Sequence, residues 1–334
     1  MSERELLRRT AEIAADFIES LDERPVFPSA PVEELGAALG GRLPEVSSDP
    51  LEVVETMARE IDPGVVATAG PRYFGYVIGG ALPAALAADW LTSVWDQCAG
   101  FSVLGPSASV VEEIIGDWLK DLFGLPQQAS FALTTGCQMA HVTALAAARH
   151  EILARRGWDV REQGLAGSPP ITVVAGRQRH VTVDRALRLL GIGGVQIAVV
   201  SADDQGRMDP GGLQTVLSRA TGPTIVCAQA GEVNTGAFDP LTEIVEIVSC
   251  TDAWLHIDGA FGLWAAASPS RRHLVEGVDR ADSWAADGHK LLNVPYDCGL
   301  VFCANPAAHN AAMTARAAYF EGAGKCERRL RLDY

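Results

Sequence analysis

The 334-residue chain is 48% hydrophobic and 21% charged, enough apolar material for one large domain or about two of ordinary size. Its formal net charge of −15, with no run of basic residues, argues against a nucleic-acid partner. No run of about 18 apolar residues lacks a charge, so no membrane span is expected.

Glu3, Glu5, Glu12 and Asp16 make the N-terminus unlike a signal peptide. Residues 2–21 read instead as an amphipathic helix, with Ser2 and Glu5 as a capping box and Leu6, Ile13, Phe17 and Leu21 on one face. "RPVFPSAP" then breaks regular structure, so that helix needs a surface to bury its apolar face, and a partner subunit is one candidate. "GGALPAALAADWLTSVWDQ" and "SASVVEEIIGDWLKDLFGL" are two further helical patterns, the second opened by Ser107 or Ser109 and closed near Gly124.

From residue 131 the texture changes. Apolar β-rich runs at 171–176, 195–200, 224–230, 254–260, 283–287 and 299–304 are interleaved with helix-like segments at 137–156, 183–190, 210–219 and 240–250. This is the pattern of an α/β protein with a mostly parallel sheet covered on both faces. There is no internal repeat and no low-complexity linker. Seven cysteines (98, 137, 227, 250, 298, 303 and 326) form no CxxC pair and mostly lie in apolar runs. Buried free thiols in a reducing cytoplasm are therefore expected.

Parallel α/β sheets bind ligands beyond the carboxyl ends of their strands. Three such ends stand out. "WLHIDGAFG" places Asp258 at one, and "SWAADGHK" places His289 and Lys290 at another. "FALTTGCQMAHVTALAAARH" is a strand, a turn and a long helix, whose first N–H groups suit a phosphate. Pyridoxal phosphate needs these three things: a lysine to bind its aldehyde, a carboxylate to keep its ring nitrogen protonated, and a phosphate cradle. Lys290, Asp258 and the 135–138 turn can fill the roles, and His180 can stack on the ring.

Each piece has a plainer reading by itself. Asp258 could be a turn or cap residue, the 135–138 turn an ordinary helix start, and His180 a structural histidine. His256, on the opposite side of its strand from Ile257, reads as a packing or hydrogen-bonding residue. Lys290 carries most of the argument, because a lysine at the end of an apolar strand has a desolvation cost to explain.

"HIDGAFG", "DGHKLLNVPYDCG", "QAGEVNTGAFDP" and "GPRYFGYVIGG" resemble the group II pyridoxal-phosphate-dependent amino-acid decarboxylases, from about residue 60 to 320 and in family order. The resemblance implies the aspartate-aminotransferase-like fold (fold type I) and an active site at a homodimer interface. By motif, Lys290 resembles the Schiff-base lysine, Asp258 the partner of the ring nitrogen and His180 the stacked histidine. Gly136, Cys137 and Gln138 align with the phosphate turn, with His289 nearby, and Gln229 and Ala260 lie where the family packs the ring. Pro71, Tyr73 and Phe74 resemble the segment near the substrate, and Phe101 and Ser102 residues reaching in from the partner subunit. Tyr319 lies where the family has a tyrosine on a mobile loop that returns a proton to the substrate.

There are departures. Cys137 and Gln138 replace the commoner glycine and serine or threonine, and Glu232 stands where relatives often carry a neutral residue. Family members also continue into a small C-terminal domain, which this chain is expected to lack. The expectation is therefore an N-terminal helical segment (1–70) for dimer contacts and a large cofactor domain (71–334). The expected activity is decarboxylation of an L-amino acid, an aromatic one first, in a cytoplasmic homodimer with no metal. The rivals are another reaction of the same cofactor, transamination or aldehyde lysis, and a non-catalytic dimerisation partner.

Overall fold

The structure, a computed structural model, describes residues 2–100 and 102–314. Two compact units divide between Ala81 and Leu82.

In the first unit the helix Glu3–Ser20 opens with the capping box that the sequence predicts. Ser2 Oγ accepts the Glu5 N–H at 3.3 Å, and the Glu5 carboxylate accepts the Ser2 N–H at 2.8 Å. Helices Val32–Leu39 and Pro50–Ile61 follow. The sequence reading did not include them, since both are short and set among prolines and glycines. Arg9 Nε donates to Glu55 at 3.0 Å, tying the first helix to the third, and none of the three has a fully buried residue.

In the second unit, helices Pro83–Trp95 and Pro106–Phe123 precede the sheet. The latter opens at Pro106 and not at Ser107 or Ser109; the Ser109 hydroxyl donates back to the Gly105 carbonyl at 3.0 Å. A proline in the first turn has no N–H to cap, which removes the need for a serine there. Among the described residues, no helix is long and apolar enough to cross a membrane.

The sheet has seven strands: β1 (Ser130–Thr134), β2 (Thr172–Gly176), β3 (Ile197–Val200), β4 (Thr224–Gln229), β5 (Trp254–Asp258), β6 (Ser283–Asp287) and β7 (Gly299–Cys303). Their order is β1-β7-β6-β5-β4-β2-β3. β2 to β6 run parallel, as expected of apolar strands separated by helices. β7 is antiparallel to β6, and β1 pairs antiparallel with β7, matching Thr134 to Gly299. The connection 288–298 explains the reversal, because a parallel return needs a crossover of about a dozen residues or more.

Strand alternation sends Val174, Val226, Leu255, Ile257 and Trp284 into a core on one face, packed against Leu213, Leu241 and Ile244. Val173, Ala175, Ile225, Cys227 and Trp254 face the other way, toward Leu145 and Ile152 of the helix Cys137–Ala154 and Val183 and Leu187 of the helix Val181–Leu189. Ala140, Ala144, Ala147 and Ala148 let the long helix lie close to the sheet. His256 and Asp258 share the Trp254 face, so both point at this helix.

Candidate active site

The carboxyl ends of β5 and β6 lie side by side, with His256 paired to Ser283 and Asp258 to Ala285. Asp258, buried at 7% exposure, takes the Ala260 N–H on Oδ1 at 3.1 Å. Its other oxygen, Oδ2, lies 3.5 Å from Nε2 of the fully buried His141. Burial by itself would raise the Asp258 carboxyl. The neighbouring His141, its hydrogen bond, the Ala260 N–H and His256 outweigh burial and hold the group well below the usual carboxylate range.

One strand over, β6 ends at Asp287 and runs into a single helical turn, Gly288–Leu291. This turn presents Lys290, whose Nζ is 3.0 Å from Asp287 Oδ2. The other oxygen of Asp287 accepts the Cys137 N–H at 2.6 Å, joining the lysine turn to the start of the long helix. Trp264 Nε1 donates to the Asp287 carbonyl at 2.9 Å. His289 is buried; its Nδ1 accepts the Cys298 N–H at 3.1 Å and its ring stacks on Tyr296 at 4.2 Å. Lys120, by contrast, is buried against the Gln127 and Ala129 carbonyls at 2.9 and 3.3 Å and Asp117 at 3.0 Å. It is sequestered in a structural role, whereas Lys290 stands at a strand end beside Asp287.

The third strand end is the 135–138 turn. Gly136 has φ +98°, a conformation that side chains strain to adopt, and a Cβ there would lie 3.4 Å from His289 Cε1. Behind it, a Cβ on Gly299 would fall 2.4 Å from the Gly136 carbonyl carbon, so bare backbone supports the turn. Gln138 donates through Nε2 to the Thr182 carbonyl at 3.3 Å, while its Oε1 is buried with no hydrogen-bond partner.

Asp258 also lines a cleft with Gly176, Arg179, Val183, Cys227, Ala228, Gln229 and Asp239. The Gln229 side chain donates to the Gln178 carbonyl at 3.2 Å. Ala260 packs on Ala132, Cys137 and Ala285 beneath the turn. His180 caps the helix Val181–Leu189, with Nδ1 2.7 Å from Thr182 Oγ1. The surrounding protein lowers its proton affinity, and the charges of Asp258 and Lys290 act on it in opposite senses.

The structure thus brings together Lys290, Asp258, Gly136, Cys137, Gln138, His289, Gln229, Ala260 and His180 within the second unit. Pro71, Tyr73 and Phe74 belong to the first unit, where Pro71 and Phe74 are exposed and Tyr73 is half-buried. Phe101 and Tyr319 lie outside the described residues. Glu232 is occupied by its own turn, accepting the Asn234 and Thr235 N–H groups at 2.8 and 2.7 Å. Of the six described cysteines, all free, Cys137, Cys227 and Cys303 are buried as expected. Cys98 and Cys250 are exposed and Cys298 is half-buried, which corrects the reading for those three.

Sequence reasoning missed Asp287, His141 and Ser283. A signal existed for part of this, since "HID" puts His256 on the same strand face as Asp258. Cys137 Sγ, His141 Nε2 and an Asp258 oxygen lie within 4.8 Å of one another. Burial pushes the Cys137 thiol well up, Asp258 and Asp287 add to this, and Lys290 opposes it. Burial thus favours the neutral S–H of Cys137.

The donor set suits pyridoxal phosphate: an amine at a strand end, a buried ionised carboxylate, and a glycine turn opening a helix. Residues 34–325 match the pyridoxal-dependent decarboxylase conserved domain. The chain is 30% identical over 306 residues to an aromatic-L-amino-acid decarboxylase of Bacillus atrophaeus, covering 90% of this chain and 62% of the relative. It is 32% identical over 237 residues to a cysteine sulfinic acid decarboxylase of Mus musculus, covering 70% and 47%. A solved Oryza sativa TDC with PLP and tryptamine superimposes with a TM-score of 0.87 at 25% identity, covering 95% of this chain and 66% of that one. Mouse CSAD gives a TM-score of 0.86 at 26% identity, covering 94% and 66%. The chain therefore spans about three fifths of the length of the first of these relatives. The architecture is that of fold type I, as the sequence motifs imply. With the domain match running through nearly all of the sheet and its strand-end residues, the chain belongs to the group II pyridoxal-phosphate-dependent decarboxylase family, whose cofactor is pyridoxal phosphate.

Proposed function

We propose that this chain carries the cofactor site of an enzyme that decarboxylates an L-amino acid to the amine and carbon dioxide. The observation that carries the reading is the ion pair of the Lys290 amine with Asp287, whose other oxygen holds the helix start after the Gly136 turn, with the buried Asp258 carboxylate at the neighbouring strand end. When bound, the cofactor holds the substrate nitrogen and its protonated ring accepts the electron pair left as carbon dioxide departs.

The residues divide the remaining work. Lys290 is the amine that would hold the cofactor, and Asp287 keeps it aimed into the cleft before loading. Asp258 would keep the ring nitrogen protonated, because a buried carboxylate held in its ionised form gains from a cation beside it. Gly136, Cys137, Gln138 and His289 would surround the phosphate, with Gln229, Ala260 and His180 confining the ring. Pro71, Tyr73, Phe74 and Phe101 are the proposed substrate contacts. Tyr319 is the proposed acid that returns one proton to the substrate carbon, replacing the lost carboxylate bond.

An aromatic substrate is favoured by the aromatic-L-amino-acid relative, although relatives for acidic substrates and cysteine sulfinic acid lie at similar identity. A homodimer is favoured by the apolar face that helices Pro83–Trp95 and Pro106–Phe123 expose, including Trp95, Val110 and Trp118. The test is carbon dioxide release across the L-amino acids, alongside borohydride trapping of the cofactor. Release from an aromatic amino acid with trapping at Lys290 supports the reading. Keto acid or aldehyde without stoichiometric amine would overturn it in favour of another reaction of the same cofactor.

A further inference from the structure

Asp258 is backed by a chain of side chains that no step above uses. Beyond the 3.5 Å contact with Asp258, His141 Nδ1 lies 2.9 Å from His256 Nε2. His256 Nδ1 lies 2.9 Å from Ser283 Oγ, and Trp254 Nε1 donates to that same oxygen at 2.9 Å. His141, His256 and Ser283 are each 0% exposed, so bulk water is not their partner.

The proton inventory of this chain has few solutions. An indole N–H only donates, so Ser283 Oγ accepts from Trp254 and its own O–H is free to donate to His256 Nδ1. His256 then carries its proton on Nε2 and gives it to His141 Nδ1. That leaves the His141 proton on Nε2, aimed at Asp258. In the reverse sense, His256 donates from Nδ1 to Ser283 and accepts from His141 Nδ1–H. A hydrogen bond to Asp258 then requires a second proton on His141, again at Nε2. Burial, with His141 adding to it, pushes His256 down to about 3, so His256 itself stays neutral. Whenever Nε2 of His141 is bonded to Asp258 and does not instead accept the Cys137 S–H, the chain ends in an N–H donated to Asp258.

We infer that His141 is a positioning residue that decides where the proton shared by Asp258 and the cofactor's ring nitrogen resides. This rests on the proposed role of Asp258. A carboxylate that already accepts an N–H is a weaker base, so the shared proton stays on the ring. Without that N–H, the same buried carboxylate takes the proton itself and the ring becomes a poor electron sink. His141 holds this post because it lies one helical turn beyond Cys137, whose Sγ is 3.5 Å from the same Nε2. Ser283 and Trp254 fix the ring of His256, and His256 fixes that of His141.

The test compares two ligands that differ in one atom: pyridoxal phosphate and its 1-deaza analogue, in which carbon replaces the ring nitrogen. Dissociation constants are measured by fluorescence quenching for the wild-type chain, His141→Asn and His141→Gln. Asparagine keeps a polar group near His256 but is too short to reach Asp258, whereas glutamine can place an N–H there. Losing one charge-assisted hydrogen bond should weaken pyridoxal phosphate about tenfold in His141→Asn and leave the analogue within about twofold. His141→Gln should recover most of the difference. With ring-labelled cofactor, the nitrogen-15 shift should move toward its unprotonated value in His141→Asn only. Equal losses for both ligands would reduce His141 to a structural part and overturn the inference, as would no loss for either. Should the wild-type chain bind both ligands equally, the Asp258 reading fails and takes this inference with it. Loss of borohydride trapping in Lys290→Ala tests the cofactor site independently of either result.

Discussion

Asp239 and Asp258 line the same cleft, and both are nearly fully buried, at 4% and 7% exposure. They nevertheless hold protons in opposite ways. Asp239 bridges two backbone amides, Met208 N–H at 2.7 Å and Gln229 N–H at 2.8 Å. Burial outweighs both bonds, and its carboxyl is pushed up to about 6. Asp258 is as deep, but an imidazole faces it and holds it well down. Depth alone does not make a carboxylate reactive or inert; the neighbour decides the sign. Asp239 ties β4 to the segment at Met208, while Asp258 is held in its charged form beside His141.

Lys290→Ala should give the largest effect, since it removes the amine proposed to hold the cofactor. Borohydride should then trap no cofactor, and turnover should fall by more than about a thousandfold. Persistent trapping on the mutant chain would move the site elsewhere.

The two aspartates can be set against each other directly. Asp258→Asn should reduce kcat by about a hundredfold or more, because an amide cannot keep the ring nitrogen protonated. Asp239→Asn should cost less than about tenfold. Comparable losses in steady-state assays would erase the distinction drawn between them.

Stability against pH sharpens the comparison further. His256 and His309 are both pushed down to about 3 by burial. Between about 3 and 6.5 the unfolded chain binds protons that the folded one refuses, so these histidines make stability rise with pH. Asp239 acts in reverse. Its folded affinity, about 6, exceeds the unfolded value of 3.8, so its contribution falls as pH rises between them. Asp239→Asn removes that opposing slope, and stability should climb more steeply, by about 1.4 kcal/mol per pH unit between about pH 4 and 6. Denaturant unfolding at pH 4.5 and 6 checks this; an unchanged slope would mean Asp239 is not perturbed.

The smallest effect on the cleft should come from Trp118→Gln, on the exposed apolar face (70% exposed). Sedimentation should show self-association weakened about tenfold or more, with binding of the cofactor intact. Unchanged association would remove this face from the proposed dimer contact.

Much of this was legible in the sequence. Apolar runs between helical patterns gave the strands to within a residue or two, and the strand-end positions of Asp258 and Lys290 followed from them. The capping box at Ser2 was equally plain. What stayed hidden depends on contacts between distant residues. The reversal at β7 follows from the shortness of the 288–298 connection, not from the strand's own composition. His141 looks like one more residue of an alanine-rich helix until the fold sets it against Asp258, more than a hundred positions away. Asp287 is similarly masked, since a strand-end aspartate before a glycine reads as a turn residue. The exposed cysteines 98 and 250 were misjudged because apolar neighbours in sequence were taken for burial, whereas they lie on surfaces that the described chain leaves open.

The pairing of β1 with β7 sets an order of events on the ribosome. Thr134, just before the glycine turn, finds its ladder partner only when Gly299 has been synthesised. Until then β1 has no neighbour in the sheet, and the Asp287 carboxylate that ties the turn to the lysine is made only shortly before. The central strands β2, β4 and β5 can associate as they emerge, since each meets a partner close behind it. The end with the glycine turn must wait for nearly the whole described chain. Such long-range closure is slow and leaves an apolar edge open in the meantime. During synthesis, then, the end of the sheet that carries Lys290 and the Gly136 turn is also the part most in need of a chaperone.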